Sequence, residues 1–123
     1  MGDPRHTLGL AAEEAVAAWL SAAGWRVILR RARAAGGGGE VDLVALDPSR
    51  TLVAVEVRAR RTDRTGRAAM SVDSRRVARL GRTMAAVATT SDLGHRGLRI
   101  DLVSVEPSGE PGRWRLTRMP GIG

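Results

Sequence analysis

Two runs of apolar, β-branched residues lie on either side of a polar segment near the middle of the chain. The first run covers residues 41–46 and the second covers residues 52–59. The segment between them, Asp-Pro-Ser-Arg-Thr, has the composition of a turn, and together the three segments predict a β-hairpin. In the second run, valines alternate with other residues, so Glu56 and Arg58 share one face of the strand.

The register of this hairpin decides where its acidic residues lie. A turn over residues 47–51 sets Asp42 opposite Glu56 and aligns the apolar faces, so we prefer it. A two-residue turn at 48–49 would send the two carboxylates to opposite faces. Cross-strand partners have Cβ atoms about 4.5–5.5 Å apart, and like charges there are destabilising. Facing carboxylates therefore require a cation, which would be Arg58 or a bound metal.

The remaining periodicity predicts two helices and two or three further strands. Thr7 is a suitable N-cap for the first helix, and Asp73 or Ser74 for the second. The predicted elements are a helix over 8–22, a strand over 25–29, the two hairpin strands, a helix over 74–89, a strand over 98–105 and a short edge strand at 114–116. The order α-β-β-β-α-β indicates one α/β domain over residues 1–123, with a mixed sheet flanked by helices, a core over about 8–105 and a C-terminal tail over 106–123.

Both helices have an apolar stripe with charged residues beside or opposite it. Glu13 lies three, four and seven residues before apolar positions, so it borders the buried face of the first helix, where a solvated flank is the more frequent role. In the second helix Arg75, Arg79 and Arg82 share the outer face. The three tryptophans, at 19, 25 and 114, occupy positions predicted to pack in the core.

Charge changes this picture more than any other property. The net charge is +7, the pI is about 11.6, and all 20 basic residues are arginine. Such a balance favours an anionic partner, nucleic acid first. A GC-rich genome also enriches arginine, so a merely solvated surface is the competing explanation. We favour nucleic acid, because arginines cluster near the hairpin. The predicted phosphate contacts are Arg31, Arg33, Arg60, Arg61 and Arg64.

Several classes of protein are disfavoured by what the sequence lacks. The absence of cysteine excludes a disulfide framework and a zinc–thiolate site. No run approaches the roughly 18 apolar residues that read as a membrane span, and the N-terminus has no signal-peptide h-region. We therefore expect no membrane partner and a location in the bacterial cytoplasm.

The acidic residues suggest a hard metal ion. Asp42 and Glu56, with Glu13 as a further candidate, offer oxygen ligands of the kind that Mg²⁺ or Mn²⁺ prefers. A divalent ion beside clustered arginines would suit phosphodiester hydrolysis, because the metal activates water and neutralises charge on the phosphate. No Ser-His or Cys-His nucleophile arrangement is available.

These same residues resemble the signatures of a known family. Residues 39–44, Gly-Glu-Val-Asp-Leu-Val, and 55–60, Val-Glu-Val-Arg-Ala-Arg, are similar to the Gly-Glu-Ile-Asp-Leu-Ile and Val-Glu-Val-Lys-Thr-Arg motifs of the YraN family. Weaker similarities lie around Gly9 and Glu13, at Arg31 and Arg33, and at residues 99–101. These small bacterial proteins are assigned to the restriction-endonuclease-like PD-(D/E)XK superfamily, which includes archaeal Holliday-junction resolvases.

The resemblance implies a restriction-endonuclease-like fold and a role for each candidate residue. Asp42 and Glu56 would be ligands of Mg²⁺ or Mn²⁺, and Glu13 an auxiliary acid. Arg58 would occupy the catalytic position at which the superfamily has lysine. Arginine stays charged and cannot act as a base, although it can stabilise charge in a transition state. By analogy with the resolvases, the resemblance also allows a homodimer.

Three functions remain open on the sequence. The first is a metal-dependent, nuclease-like protein acting on branched or damaged DNA, favoured by the retained Asp42, Glu56 and Glu13. The second is a DNA-binding module of the same fold with weakened or lost catalysis, favoured by Arg58. The third is a basic scaffold for an acidic protein partner, which the charge alone supports.

Overall fold

A five-stranded sheet with one helix on each face forms the centre of the molecule. The computed structural model describes residues 4–33, 40–59, 74–90, 94–111 and 113–122. The elements are α1 (Pro4–Ala22), β1 (Arg26–Ala32), β2 (Val41–Leu46), β3 (Leu52–Ala59), α2 (Ser74–Thr90), β4 (Leu98–Pro107) and β5 (Trp114–Met119). The predicted α-β-β-β-α-β order is confirmed, and β5, at the place of the short edge strand, completes the sheet.

The strands lie in chain order, and α2 makes the one crossover. Neighbours pair β1-β2-β3-β4-β5. All pairs are antiparallel except β3 and β4, which are parallel and therefore need the connection that contains α2. This is the mixed sheet flanked by helices that the sequence predicts, and it is compatible with a restriction-endonuclease-like fold.

Each helix packs on its own face of the sheet, so the domain has two apolar cores. The α1 core joins the helix to the odd-numbered valines of β3 and to β4, with Ala12, Val16, Ala17, Leu20, Leu43, Val53, Val55, Val103 and Val105 buried together. The α2 core lies on the opposite face and contains Ala32, Val41, Val44, Leu52, Ala54, Leu80, Met84 and Val87. Because successive strand residues point to opposite faces, β3 contributes to both cores and is almost wholly buried over its first five residues.

The hairpin has the predicted five-residue turn. The β2–β3 pairing runs from Leu46 opposite Leu52 to Leu43 opposite Val55, so the two-residue turn is wrong. The Asp47 carboxylate accepts the backbone N–H groups of Ser49 and Thr51, both at 2.9 Å. These bonds satisfy amides that the turn leaves out of the ladder.

Three local predictions are wrong. The first helix begins at Pro4, so Thr7 lies within its first turn and is not the N-cap; proline suits a first helical position because its φ is already helical. Strand β1 is shifted toward the C-terminus and has an irregularity between Val27 and Leu29, which breaks the simple alternation. Trp19 is 38% exposed and is not a core residue. No helix in the described part of the chain is long and apolar enough to cross a membrane.

Candidate functional site

At Asp42, a side-chain hydrogen bond replaces the backbone pairing of the hairpin. The pairing ends with Leu43 opposite Val55, and the same register continued by one residue sets Asp42 opposite Glu56. Asp47 N–H donates to the Thr51 carbonyl at 3.0 Å, so every second residue pair of the hairpin is a hydrogen-bonded one. Continued along β3, this alternation would make Val57 N–H the next donor to a backbone carbonyl of β2. Val57 N–H donates instead to Oδ2 of Asp42, at 2.8 Å. The backbone thus fixes the Asp42 carboxylate beside Glu56.

Glu56 is a buried carboxylate with one bonded and one unbonded oxygen. The residue is 3% exposed. Its Oε2 accepts hydrogen bonds from Nε of Arg76 at 2.9 Å and from Nη2 at 2.6 Å. Oε1 is buried as well and has no hydrogen-bond partner among the described residues. Buried polar atoms are nearly always paired, so this orphan oxygen indicates a place for a further ligand.

Arg76 supplies the cation that the facing carboxylates require. It lies in the first turn of α2, and its side chain is one-third exposed. The sequence predicts Arg58 or a metal for this role and does not identify Arg76. The signal was present, because Arg76 lies four and seven residues before Leu80 and Thr83, which are both fully buried. That spacing places it on the buried face of the helix.

Three predicted acidic residues, Asp42, Glu56 and Glu13, lie close enough to interact electrostatically. The pKa of Asp42 is raised to about 7 by burial and by the charge of Glu56, with a smaller contribution from Glu13. The Val57 hydrogen bond and the charge of Arg76 act in the opposite direction. Glu13 reaches this region from α1 and is paired with Arg31 at 3.1 Å. The raised pKa keeps a proton on Asp42 to higher pH than usual, which relieves its repulsion with Glu56.

Asp42→Asn is expected to stabilise the fold at pH 8 by about 2 kcal/mol. A pKa shift is worth about 1.4 kcal/mol per unit, and partial exposure screens some of it. From about pH 4 to 7, folded Asp42 keeps a proton that the unfolded chain has lost, so wild-type stability falls as pH rises. Asparagine keeps an acceptor for Val57 N–H and removes this slope. Urea unfolding at pH 5 and pH 8 in EDTA measures this pH dependence of the free energy of unfolding, with Glu110→Gln as the exposed control. The same pH dependence in Asp42→Asn as in the wild type would contradict the prediction.

The donor set fits a small divalent ion. Within the described residues, no group of three or more His, Cys, Asp or Glu side chains is placed to hold a metal ion. Mg²⁺ commonly binds through one or two carboxylates, with water and substrate phosphate completing its shell. Asp42 and the orphan Oε1 of Glu56 match that smaller requirement. Their assignment as ligands stays a prediction.

A second buried charge cluster lies on the α1 face and was not predicted. Asp101 is fully buried and accepts bonds from Nε and Nη2 of Arg99 at 2.7 and 3.0 Å, from Nη1 of Arg118 at 3.0 Å, and from the Gly121 N–H at 3.0 Å. Both guanidinium groups also lie over the Trp25 ring, at 5.9 and 5.3 Å from its centroid. This cluster has every oxygen paired, so we assign it a structural role.

The predicted phosphate contacts divide into two groups. Arg31 is paired with Glu13, and Arg33 donates two bonds to Oε2 of Glu40, at 2.9 and 2.7 Å. Their guanidinium groups are thus already engaged with carboxylates. The other predicted contacts, Arg60, Arg61 and Arg64, lie outside the described residues. Arg58 is partly buried on β3, two residues beyond Glu56.

Comparison with known proteins gives the chain a family. Residues 12–105 match the model of the family described as "Uncharacterised protein family UPF0102". A UPF0102 protein of Deinococcus radiodurans is 37% identical over 115 residues, which cover 92% of this chain and 91% of that protein. A UPF0102 protein of Anaeromyxobacter dehalogenans is 41% identical over 115 residues, covering 89% and 81%, and one of Beutenbergia cavernae is 34% identical over 119 residues, covering 97% and 98%.

The fold defines an α/β protein with a mixed sheet, in which the buried Glu56 lies beside the partly buried Asp42. The chain belongs to family UPF0102, the YraN family, and the resemblance of its two hairpin motifs is thereby confirmed. The matched region contains Glu13, Asp42, Glu56, Arg58 and Arg76.

Proposed function

We propose that this protein is a nuclease-like enzyme of the bacterial cytoplasm that hydrolyses phosphodiester bonds in branched or damaged DNA with the help of Mg²⁺ or Mn²⁺. The observation that carries the proposal is the Asp42 carboxylate, held by Val57 N–H next to Glu56, together with the buried Oε1 of Glu56, which has no hydrogen-bond partner among the described residues. The buried Glu56 beside the partly buried Asp42, in a protein of net charge +7, suits a site where a cation and a polyanion meet.

Each residue of the site has a distinct task in this proposal. Asp42 and Glu56 would hold the ion, which when bound polarises the phosphate and lowers the pKa of a bound water. Asp42 releases its proton near neutral pH, so its oxygens become available to a cation without a large cost. Arg76 neutralises Glu56 while no metal is bound. Glu13 adds negative charge from α1 and orients Arg31.

Arg58 favours one competing function, a DNA-binding module with weakened catalysis. It follows Glu56 by two residues and lies on the same face of β3. A guanidinium there can stabilise charge on a phosphate, but it cannot take a proton from water at neutral pH. Arg58 would therefore hold the phosphate and would not activate the water. The two functions differ in rate rather than in the residues that bind metal and DNA.

Cleavage of plasmid and branched DNA with Mg²⁺ or Mn²⁺ tests the proposal. We expect Asp42→Asn and Glu56→Gln each to abolish cleavage, because each removes a charged ligand, while DNA affinity is kept or raised. Glu110→Gln is the matched control, since it removes the same charge from an exposed surface pair with Arg113 and should cleave normally. Cleavage that persists in both site variants contradicts the proposal.

The same assay on Arg58→Lys separates the enzyme from the weakened module. The substitution keeps the charge, so attraction to DNA is preserved, and supplies the compact ammonium that can orient water. Wild-type cleavage supports a working nuclease, and cleavage by Arg58→Lys alone supports the weakened module. If neither protein cleaves and the carboxylate variants bind DNA as the wild type does, the acidic pair is structural and the nuclease function is wrong.

A further inference from the structure

Most described arginines are engaged within the protein itself. Ion pairs with carboxylates are made by Arg30, Arg31, Arg33, Arg76, Arg99, Arg113, Arg115 and Arg118. Arg50 donates to the Gly94 carbonyl at 2.8 Å. Arginine enrichment alone therefore does not leave these side chains free on the surface, because the fold provides an acceptor for each of them.

The outer face of α2 departs from this pattern. Arg75, Arg79 and Arg82 are exposed there, and no carboxylate of the described residues lies within ion-pair distance of them. The helix, Ser74–Thr90, contains four arginines and no acidic residue. Three cations on one face without a carboxylate partner among the described residues repel one another, which is destabilising in the free protein. A surface that keeps such an arrangement is suited to an anionic partner.

We infer that this face, defined by Arg75, Arg79 and Arg82, binds the phosphate backbone of DNA. The inference extends the proposed function by placing the bound DNA relative to the acidic site. Along the helix axis, Arg75 and Arg82 are about 10 Å apart at 1.5 Å per residue. A duplex carries about three phosphates per strand over that length of its axis, at one per about 3.4 Å. Guanidinium groups suit phosphates because they donate two parallel hydrogen bonds.

The row begins beside the candidate active site. Arg75 precedes Arg76, whose guanidinium is bonded to Glu56. The backbone of α2 therefore fixes the distance between the phosphate-binding face and the carboxylates. DNA lying along α2 would run from Arg82 to Arg75 and reach the acidic pair at the start of the helix. Because only arginines and small residues lie on this face, the contacts would hold the backbone and would not read sequence.

A triple variant tests the inference by its salt dependence. Arg75→Ala, Arg79→Ala and Arg82→Ala together should make the slope of log K against log[salt] for duplex DNA less steep by about 2.7, at about 0.9 per phosphate contact. Alanine favours helix, so α2 should remain folded. The control combines Arg26→Ala, Arg113→Ala and Arg115→Ala, which remove the same charge from exposed positions elsewhere. Its slope should change by less than about 1.

Fluorescence anisotropy with labelled DNA gives the slopes. Salt is varied between 50 and 200 mM, because affinity for DNA changes strongly over that range. Equal slope changes in the two triple variants overturn the inference, because charge alone would then explain binding. Displacement of DNA by polyglutamate at equal charge concentration also overturns it, since the face would then fit an acidic protein. Cleavage distinguishes this failure from that of the proposed function. If the wild type cleaves while the α2 variant binds as the wild type does, only the inference fails; if the slope changes as expected and nothing cleaves, only hydrolysis fails.

Discussion

Asp101→Asn is expected to lower the free energy of unfolding by about 3–5 kcal/mol, the range for breaking one side of a buried ion pair. The carboxylate is fully buried and accepts four hydrogen bonds, three of them from Arg99 and Arg118. Burial alone would raise the pKa of Asp101, but the bonds from Arg99, Gly121 and Arg118 hold it below its ordinary value. An asparagine would turn an amide N–H₂ toward guanidinium donors and leave both cations poorly compensated.

Urea unfolding at pH 7 measures this loss, with Glu110→Gln as the exposed control that should change stability by less than about 0.5 kcal/mol. The variant should also alter the fluorescence of Trp25, because both arginines lie against that ring in the wild type. The wild type should itself lose stability as pH falls through the depressed pKa of Asp101, and the variant should lack that dependence. A loss below about 1 kcal/mol would mean that the cluster is well solvated or rearranges.

Arg76→Ala is expected to lower the free energy of unfolding by about 3 kcal/mol. This lies at the lower end of the range for buried ion pairs, because the Arg76 side chain is one-third exposed. Its removal leaves the buried Glu56 with neither oxygen paired among the described residues. Glu56 would then lie beside Asp42 without the charge of Arg76. Glu56→Gln in the same chain removes the unpaired charge, so the double variant should recover most of the lost stability.

The neighbouring Arg75→Ala is the matched control, because it removes the same charge from an exposed position on the same helix turn. It should change stability by less than about 0.5 kcal/mol. Equal effects of the two arginine substitutions would show that the Glu56 contact contributes nothing beyond net charge. A double variant no more stable than Arg76→Ala would show that Glu56 does not need a cation when buried.

The hairpin could be predicted because its constraints are local. Alternating valines and a polar segment of five residues restrict the register, and that register continued by one pair sets Asp42 opposite Glu56. The start of α1 could not be placed as well, since Thr7 and Pro4 are both acceptable at a helix start and propensity does not choose between them. The irregularity after Val27 leaves no mark in the pattern of apolar residues.

The partners of the acidic residues depend on tertiary structure. Arg76 is 20 residues from Glu56 along the chain, and only the packing of α2 brings them together. Helical spacing could have marked Arg76 as facing the sheet, but not which strand residue it meets. Arg99 and Asp101 share a face by strand alternation, whereas Asp47, which pairs with Arg99 at 3.1 Å, is 52 residues away. The pairing of β4 with β5 has to be known before the partners of Asp101 can be predicted.

The separation between Glu56 and its two neighbours has a kinetic consequence. Asp42 and Glu56 meet when a five-residue loop closes, and hairpins of this kind form in about 1–10 μs. Arg76 can reach Glu56 only after α2 has formed and docked on the sheet, which is a longer-range event. The carboxylates can therefore face each other before their cation arrives.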